Sequence, residues 1–347
     1  MSRLLGGGVF APEAVEALFA DAAFVDAMLE VEAALALAAS DIGRMPDSAA
    51  AAIVACCKPG AIDGADIAAS LSRSGTPVIA LVAALGTAVT ARDAQAARFV
   101  HLGATSQDIV DTALVLILRR VHAWIDGELA SLAAACAALA ATHRETLQLG
   151  RTLLQPGPAI PFGLKAAGWL MSLVRAHQRL VHARDAAFVL QFGGAVGTLA
   201  SLGGDGPALA DALGRRLGLA VPALPWHVQR DALIALSTDT AVLTGSLAKI
   251  GRDVALGMQF ELGEVIEPAG PGRGGSSAMP HKRNPVGAMI ALSTLPRVAG
   301  HVAALIAAMA HEGERAVGGW QSEWASIPDL HRAAAAALTA TWRSSPA

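Results

Sequence analysis

The residues best placed to do chemistry gather in one stretch, Arg273-Gly-Gly-Ser276-Ser277-Ala-Met-Pro280-His281-Lys282-Arg283-Asn284-Pro285. Its two adjacent glycines lack the Cβ restriction, so Ser276 and Ser277 sit on a tether of wide conformational freedom. Asn284-Pro285 reads as the N-cap and first residue of a helix that continues through Val286, Met289 and Leu292. Unpaired backbone N–H groups and the positive dipole end of that helix would point back at the serines and favour an anion. His281, Lys282 and Arg283 add cationic donors, and Lys282 is one of only four lysines in 347 residues. A hydroxyl beside a bound carboxylate suits proton transfer at the carbon next to that carboxylate. Read without that chemistry, the same residues form a solvated Gly/Ser connector before a capped helix.

Other stretches carry polar groups suited to an anionic ligand. Thr105-Ser106-Gln107-Asp108, followed by Ile109-Val110, has the Thr-to-Asp spacing of a helix-start capping pattern, and a self-capped helix start still offers spare N–H groups. Arg151 in Gly150-Arg-Thr-Leu-Leu-Gln155-Pro and Arg315 in Glu314-Arg-Ala-Val-Gly-Gly-Trp320 are guanidinium groups of the kind that bind carboxylates in bidentate fashion. Arg230 reads as a solvated arginine at a helix start. His122, His177, His182 and His301 fall on helical repeats and receive no role.

The chain resembles the fumarase/aspartase superfamily. Its signature Gly-Ser-Ser-x-x-Pro-x-Lys-x-Asn is met at Gly275, Ser276, Ser277, Pro280, Lys282 and Asn284. A Thr-Ser-x-Asp motif is met from Thr105, and Gly-Arg-Thr-His-x-Gln is met at Arg151, Thr152 and Gln155 but not at Leu153. The resemblance implies an all-α fold of bundled long helices and a homotetramer whose active sites are shared between subunits. It also implies a serine, here Ser276, that exchanges a proton next to a carboxylate and forms an enediolate-stabilised carbanion. Lys282, Asn284 and the helix start would hold that carboxylate, with Ser277 and His281 beside it. Thr105, Ser106 and Gln107 would hold a second carboxylate, and Arg151 and Arg315 a third. No metal and no organic cofactor is implied.

Two positions separate branches of the superfamily. Adenylosuccinate lyase shares the Pro-His-Lys-Arg-Asn-Pro string, but uses a histidine in the second motif and a glutamate five residues after the asparagine. Here Leu153 and Met289 stand there. Replacing one polar partner would strand the other, whereas replacing both is consistent packing. Such a pair protonates a poor leaving group, and a carboxylate leaving group does not need it. Together with resemblance over Gly103–Thr112, Arg151–Lys165, Leu190–Leu202, Leu224–Asp231 and Glu314–Trp324, this points to the cycloisomerase branch. Its reaction is lactonisation of a small tricarboxylate, 3-carboxy-cis,cis-muconate, in protocatechuate breakdown. A C–N lyase and an inactive helical scaffold are the alternatives. Gly313 departs from the histidine usual in that branch.

These groups need long helices to position them. Hydrophobic residues make up 54% of the sequence but aromatics only 4%, with no tyrosine, as packed Ala/Leu-rich helices require. An amphipathic pattern runs over residues 13–40, an apolar helical stripe from Leu114 to Leu139, a further long helix is read over 163–192, and an Ala-rich helix over 286–311. The seam Leu233, Leu236, Thr240, Leu243, Leu247, Ile250 and Val254 alternates threes and fours, which predicts the longest helix, a rod of roughly 45–50 Å. Residues 1–110 read as an N-terminal helical domain and 111–347 as the long-helix bundle, without the third domain usual in the family. A net charge of −3 without long blocks of one sign argues against nucleic acid or a membrane as partner. Three cysteines with no framework spacing and no signal-peptide pattern point to a cytoplasmic protein.

Overall fold

The computed structural model describes residues 11–268, 273–279 and 281–343; Pro280 of the serine motif lies outside them. Five helices come first: α1 (Glu13–Leu18), α2 (Asp21–Asp41), α3 (Asp47–Cys56), α4 (Gly64–Ser74) and α5 (Val78–Arg92). Then follow α6 (Ser106–Thr142), a hairpin of β1 (Leu147–Thr152) and β2 (Gln155–Pro161), α7 (Phe162–Ala187), α8 (Gly206–Leu217) and α9 (Asp231–Gly257). The last two are α10 (Val286–Ala308) and α11 (Gly319–Arg343). Helices α6, α7, α9, α10 and α11 form the bundle, and α2 and α8 pack on one another beside α6.

Every residue of the α9 seam is buried, as the spacing requires. The rod is shorter than expected, 27 residues, because Arg230 only caps it and Gly257 packs its bare Cα against Val265 where the chain turns away. The longest helix is α6, with 37 residues and roughly 55 Å at ~1.5 Å per residue. The single helix expected over 13–40 is broken at Phe19 and Ala20 into α1 and α2.

The hairpin is an addition to the all-helical expectation. It pairs Leu147 with Pro161 and Thr152 with Gln155, with an irregularity between Leu149 and Arg151. Gly150 is required there, since a Cβ would meet the Pro158 carbonyl oxygen at 2.5 Å. Two residues turn the hairpin, Leu153 (φ 52°) and Leu154 (φ 64°), both in the left-handed region that glycine or asparagine ordinarily supplies. Leu153 is 96% exposed and Met289 56% exposed, so within one chain each is presented outward.

By length and composition alone, α6, α9 and α10 are apolar enough to cross a bilayer. In the fold they carry buried polar side chains, among them Asp108, Asp111 and His122 on α6 and Thr240 and Thr244 on α9. One buried contact ties three bundle helices. Arg184 of α7 donates from Nε to His122 Nδ1 and makes a bidentate pair with Asp126, whose other neighbour is His177. His122 Nδ1 therefore accepts, so its Nε2 carries the proton and donates to His331 Nε2 at 3.2 Å. His331 completes the chain by donating from Nδ1 to the Ile327 carbonyl. No ring nitrogen has room for a further proton, and burial holds both imidazoles below their ordinary pKa, His331 down to about 4.

Since the unfolded chain binds these protons and the folded chain refuses them, stability is fully present above pH ~6.5 and falls as pH drops toward the folded values. The His331 shift from 6.5 to about 4 corresponds to about 3 kcal/mol, of which about 2 is lost between pH 7.5 and 5. Urea denaturation at fixed protein concentration should show this loss, and His331→Leu should flatten that part of the pH dependence while lowering stability at pH 7.5.

Candidate active site

Asp108 organises the first group of expected site residues. It lies in the first turn of α6, and its carboxylate accepts the Thr105 N–H at 3.0 Å, so the capping pattern read from the sequence is realised. The same carboxylate accepts the N–H groups of Gly193 (3.0 Å) and Gly194 (2.9 Å) and bonds His227 Nε2 at 2.6 Å. Both Asp108 oxygens accept from these neighbours, and His227 Nε2 is the donor in its contact. Gly193 leaves room for this imidazole, because a Cβ there would stand 2.7 Å from His227 Cε1. Arg315, half-buried, donates from Nη2 to the Gly194 carbonyl at 2.6 Å. Burial pulls its pKa below the ordinary value while Asp108 and Asp111 oppose that shift. Thr105, Ser106 and Arg315 are thus brought to one end of α6. Gln107 is not available with them as expected: it is buried, and its amide nitrogen donates inward to Asp111 and to the His227 carbonyl.

Arg230 corrects the sequence reading outright. It is among the largest fully buried side chains, not a solvated one. It makes bidentate contacts to Asp111 (2.7 and 3.1 Å) and to Glu323 of α11 (2.6 Å at the closest), and it lies over the Trp226 ring. Trp320 Nε1 also donates to Asp111. Burial works against the Arg230 charge, but the two carboxylates outweigh it and keep the guanidinium protonated; burial pushes the Glu323 carboxyl up. The signal missed in the sequence was the pairing of Arg230 with acids far along the chain, Asp111 and Glu323, which no local pattern shows.

Arg151 is committed elsewhere than expected. It makes a bidentate pair with Glu264 at 2.8 Å on both arms, which holds the hairpin to the segment after α9 and draws the Glu264 carboxyl below its ordinary value.

The serine stretch forms the third group. Ser276 is half-buried, and its Oγ accepts the Met279 N–H at 3.2 Å; Ser277, His281, Lys282 and Arg283 are exposed. A cavity of about 220 Å³ beside it is lined by Met258, Glu267, Arg273, Lys282, Arg283 and Asn284, among others. Asn284 does not cap α10. Its side chain donates to the Gly275 carbonyl, and its backbone N–H to the Gly274 carbonyl at 2.8 Å. The N–H groups expected to hold a ligand carboxylate are taken in part by the chain itself: Glu267 accepts from Gly287 (3.1 Å) and Ala288 (2.8 Å). Among the described residues, Ser276, Ser277, Lys282 and Asn284 make no hydrogen bond or ion pair to the end of α6. No group of three or more His, Cys, Asp or Glu among the described residues is arranged to hold a metal.

The half-buried Ser276 hydroxyl lies on the loop between two bundle helices, in the stretch that carries the superfamily signature. Residues 11–300 match the family described as Lyase, and the chain belongs to that family, with the fumarase/aspartase fold. It is 47% identical to the 3-carboxy-cis,cis-muconate cycloisomerase of Pseudomonas aeruginosa over 93% of this chain and 71% of that one. It is 44% identical to the nitrosuccinate lyase of Streptomyces davaonensis over 93% and 70%. The crystal structure of the 3-carboxy-cis,cis-muconate lactonizing enzyme from Pseudomonas putida matches with a TM-score of 0.94 and 41% identity, covering 99% of this chain and 76% of that chain.

Removing the Arg230 charge strands two buried carboxylates. Arg230→Met should lower unfolding free energy by about 3–5 kcal/mol, read by denaturant titration. The loss should be larger than that from Asp41→Ala, which removes the exposed Arg216 partner.

Proposed function

We infer that this chain is a cycloisomerase that closes 3-carboxy-cis,cis-muconate to 4-carboxymuconolactone. The observation that carries this reading is similarity along nearly the whole chain, in sequence and in fold, to enzymes of that name. In the reaction, an internal carboxylate oxygen adds to one carbon of an activated C=C bond. A proton is delivered to the other carbon, which lies next to a second carboxylate. Ser276 supplies that proton in the lactone-forming direction and removes it in reverse. The Met279 N–H at its oxygen and the cation of Lys282 on the same loop favour the serine alkoxide left behind. Lys282 and Asn284 hold the carboxylate that becomes the enediolate. Thr105, Ser106 and Arg315 bind the other carboxylates, with Ser277 and His281 at the rim. Gln107 and Arg151 act through their internal partners.

Leu153 and Met289 support a reaction without a dedicated acid for the leaving group. That absence suits any leaving group that departs as a weak base, nitrite included, so a lyase acting on nitrosuccinate is the second reading, favoured by the relative from Streptomyces davaonensis. The enzymes of this family are generally oligomeric and act on small molecules. We place the site in a homotetramer, at a junction of subunits. Support comes from the exposed apolar side chains of bundle helices, among them Met171, Val174, Val181, Val242, Leu295 and Ile306. The bacterial enzymes among its relatives support a cytoplasmic setting.

Loss of diene ultraviolet absorbance from 3-carboxy-cis,cis-muconate is the direct test. Ser276→Ala should cut kcat by about 10²–10⁴-fold with KM little changed. Nitrite release from nitrosuccinate with no diene loss would overturn the lactonising reading. For subunit sharing, Ser276→Ala and Arg315→Ala proteins, each inactive alone, should recover part of the activity when refolded together; no recovery would place the site within one chain.

A further inference from the structure

Glu267 enters none of the steps above, and its carboxylate is almost wholly buried. Its two oxygens accept the N–H groups of Gly287 and Ala288 in the first turn of α10, and Oε2 stands 3.4 Å from Arg273 Nη2. One carboxylate is therefore bonded on one side to the residue three before Ser276 and on the other to the helix that follows Asn284. A second tie lies beside it. The Asn284 N–H donates to the Gly274 carbonyl, and Gly274 sits at φ 70° with the Asn284 oxygen 2.8 Å from where a Cβ would be. Only glycine fits that approach. Ser276 and Lys282 lie on the loop that both ties close. An anion at a helix start is favoured by the dipole as well as by its hydrogen bonds, so a ligand carboxylate gains nothing by displacing Glu267.

We propose that Glu267 is a positioning residue for proton transfer: by capping α10 and holding Arg273, it sets Ser276 and Lys282 in register with the substrate. The ligand carboxylate is then left to the side chains of Lys282 and Asn284 rather than to the first-turn N–H groups. This rests on the role of Ser276 given above. A displacement of a proton donor by an ångström costs up to about a hundredfold in rate, while binding through other groups survives.

Full-length Glu267→Ala, Glu267→Gln and Gly274→Ala proteins, assayed by diene loss beside Ser276→Ala, test it. Glu267→Ala should lose about 10- to 100-fold in kcat with KM within about threefold. Glu267→Gln keeps one carbonyl acceptor and should recover part of that loss. Gly274→Ala breaks the second tie and should show the same split between kcat and KM. Trypsin should cut faster after Arg273, Lys282 and Arg283 in Glu267→Ala, a readout independent of turnover. If Glu267→Ala fails to fold, the Gln and Gly274 variants carry the test. Wild-type kcat in Glu267→Ala, or a kcat loss matched by the unfolded fraction alone, overturns the positioning role. Undiminished turnover in Ser276→Ala sinks the serine assignment instead, whatever Glu267 does.

Discussion

A single buried carboxylate, that of Asp108, fixes the geometry on which the rest of this molecule depends. It bonds the start of its own helix, the backbone of the 193–194 loop and the imidazole that leads into α9. Three segments distant in sequence are thereby held to one point. One turn further along α6, Asp111 repeats the device with Arg230, Trp320 and Gln107. Buried charges of this kind are costly to desolvate, and a well-packed apolar replacement is often as stable. Their value here lies in orientation, because the carbonyl that holds Arg315 belongs to the same loop that Asp108 clamps.

The two polar regions differ in their electrostatic balance. At the end of α6, acids are enclosed and satisfied by N–H groups and by Arg230. On the serine stretch, His281, Lys282 and Arg283 are exposed and carry no ion pair among the described residues. Lys282 and Arg283 are cations that a polyanionic ligand can engage without first breaking an ion pair to a described residue. Near α6 the donors are instead already aimed by the buried network, so little ordering entropy remains for them to lose.

Much of this was legible in the sequence where a pattern is local or periodic. The α9 seam is buried residue by residue, and the Thr105 to Asp108 spacing caps α6. What was not legible depends on partners far apart in the chain. Arg230 has the local look of a helix-start arginine, and only Asp111 and Glu323 make it a core residue. Asn284-Pro285 has the local look of a capped helix start, and Glu267, seventeen residues earlier, takes the cap. The hairpin has no local signal in the sequence, because Leu153-Leu154 lacks the Asn-Gly chemistry that announces a two-residue turn.

That turn has an evolutionary consequence. Both of its residues hold left-handed backbone angles that cost leucine of order 1 kcal/mol each, so the conformation is dictated by the strands on either side and not by the residues at the tip. A side chain there is displayed, not packed. Its identity can drift between apolar and ionisable without disturbing the buried scaffold, and the position is open to exchange with little penalty to folding. A change at this outward-facing bend therefore alters what the bend displays and leaves the helices, the clamped loops and the buried acids as they were.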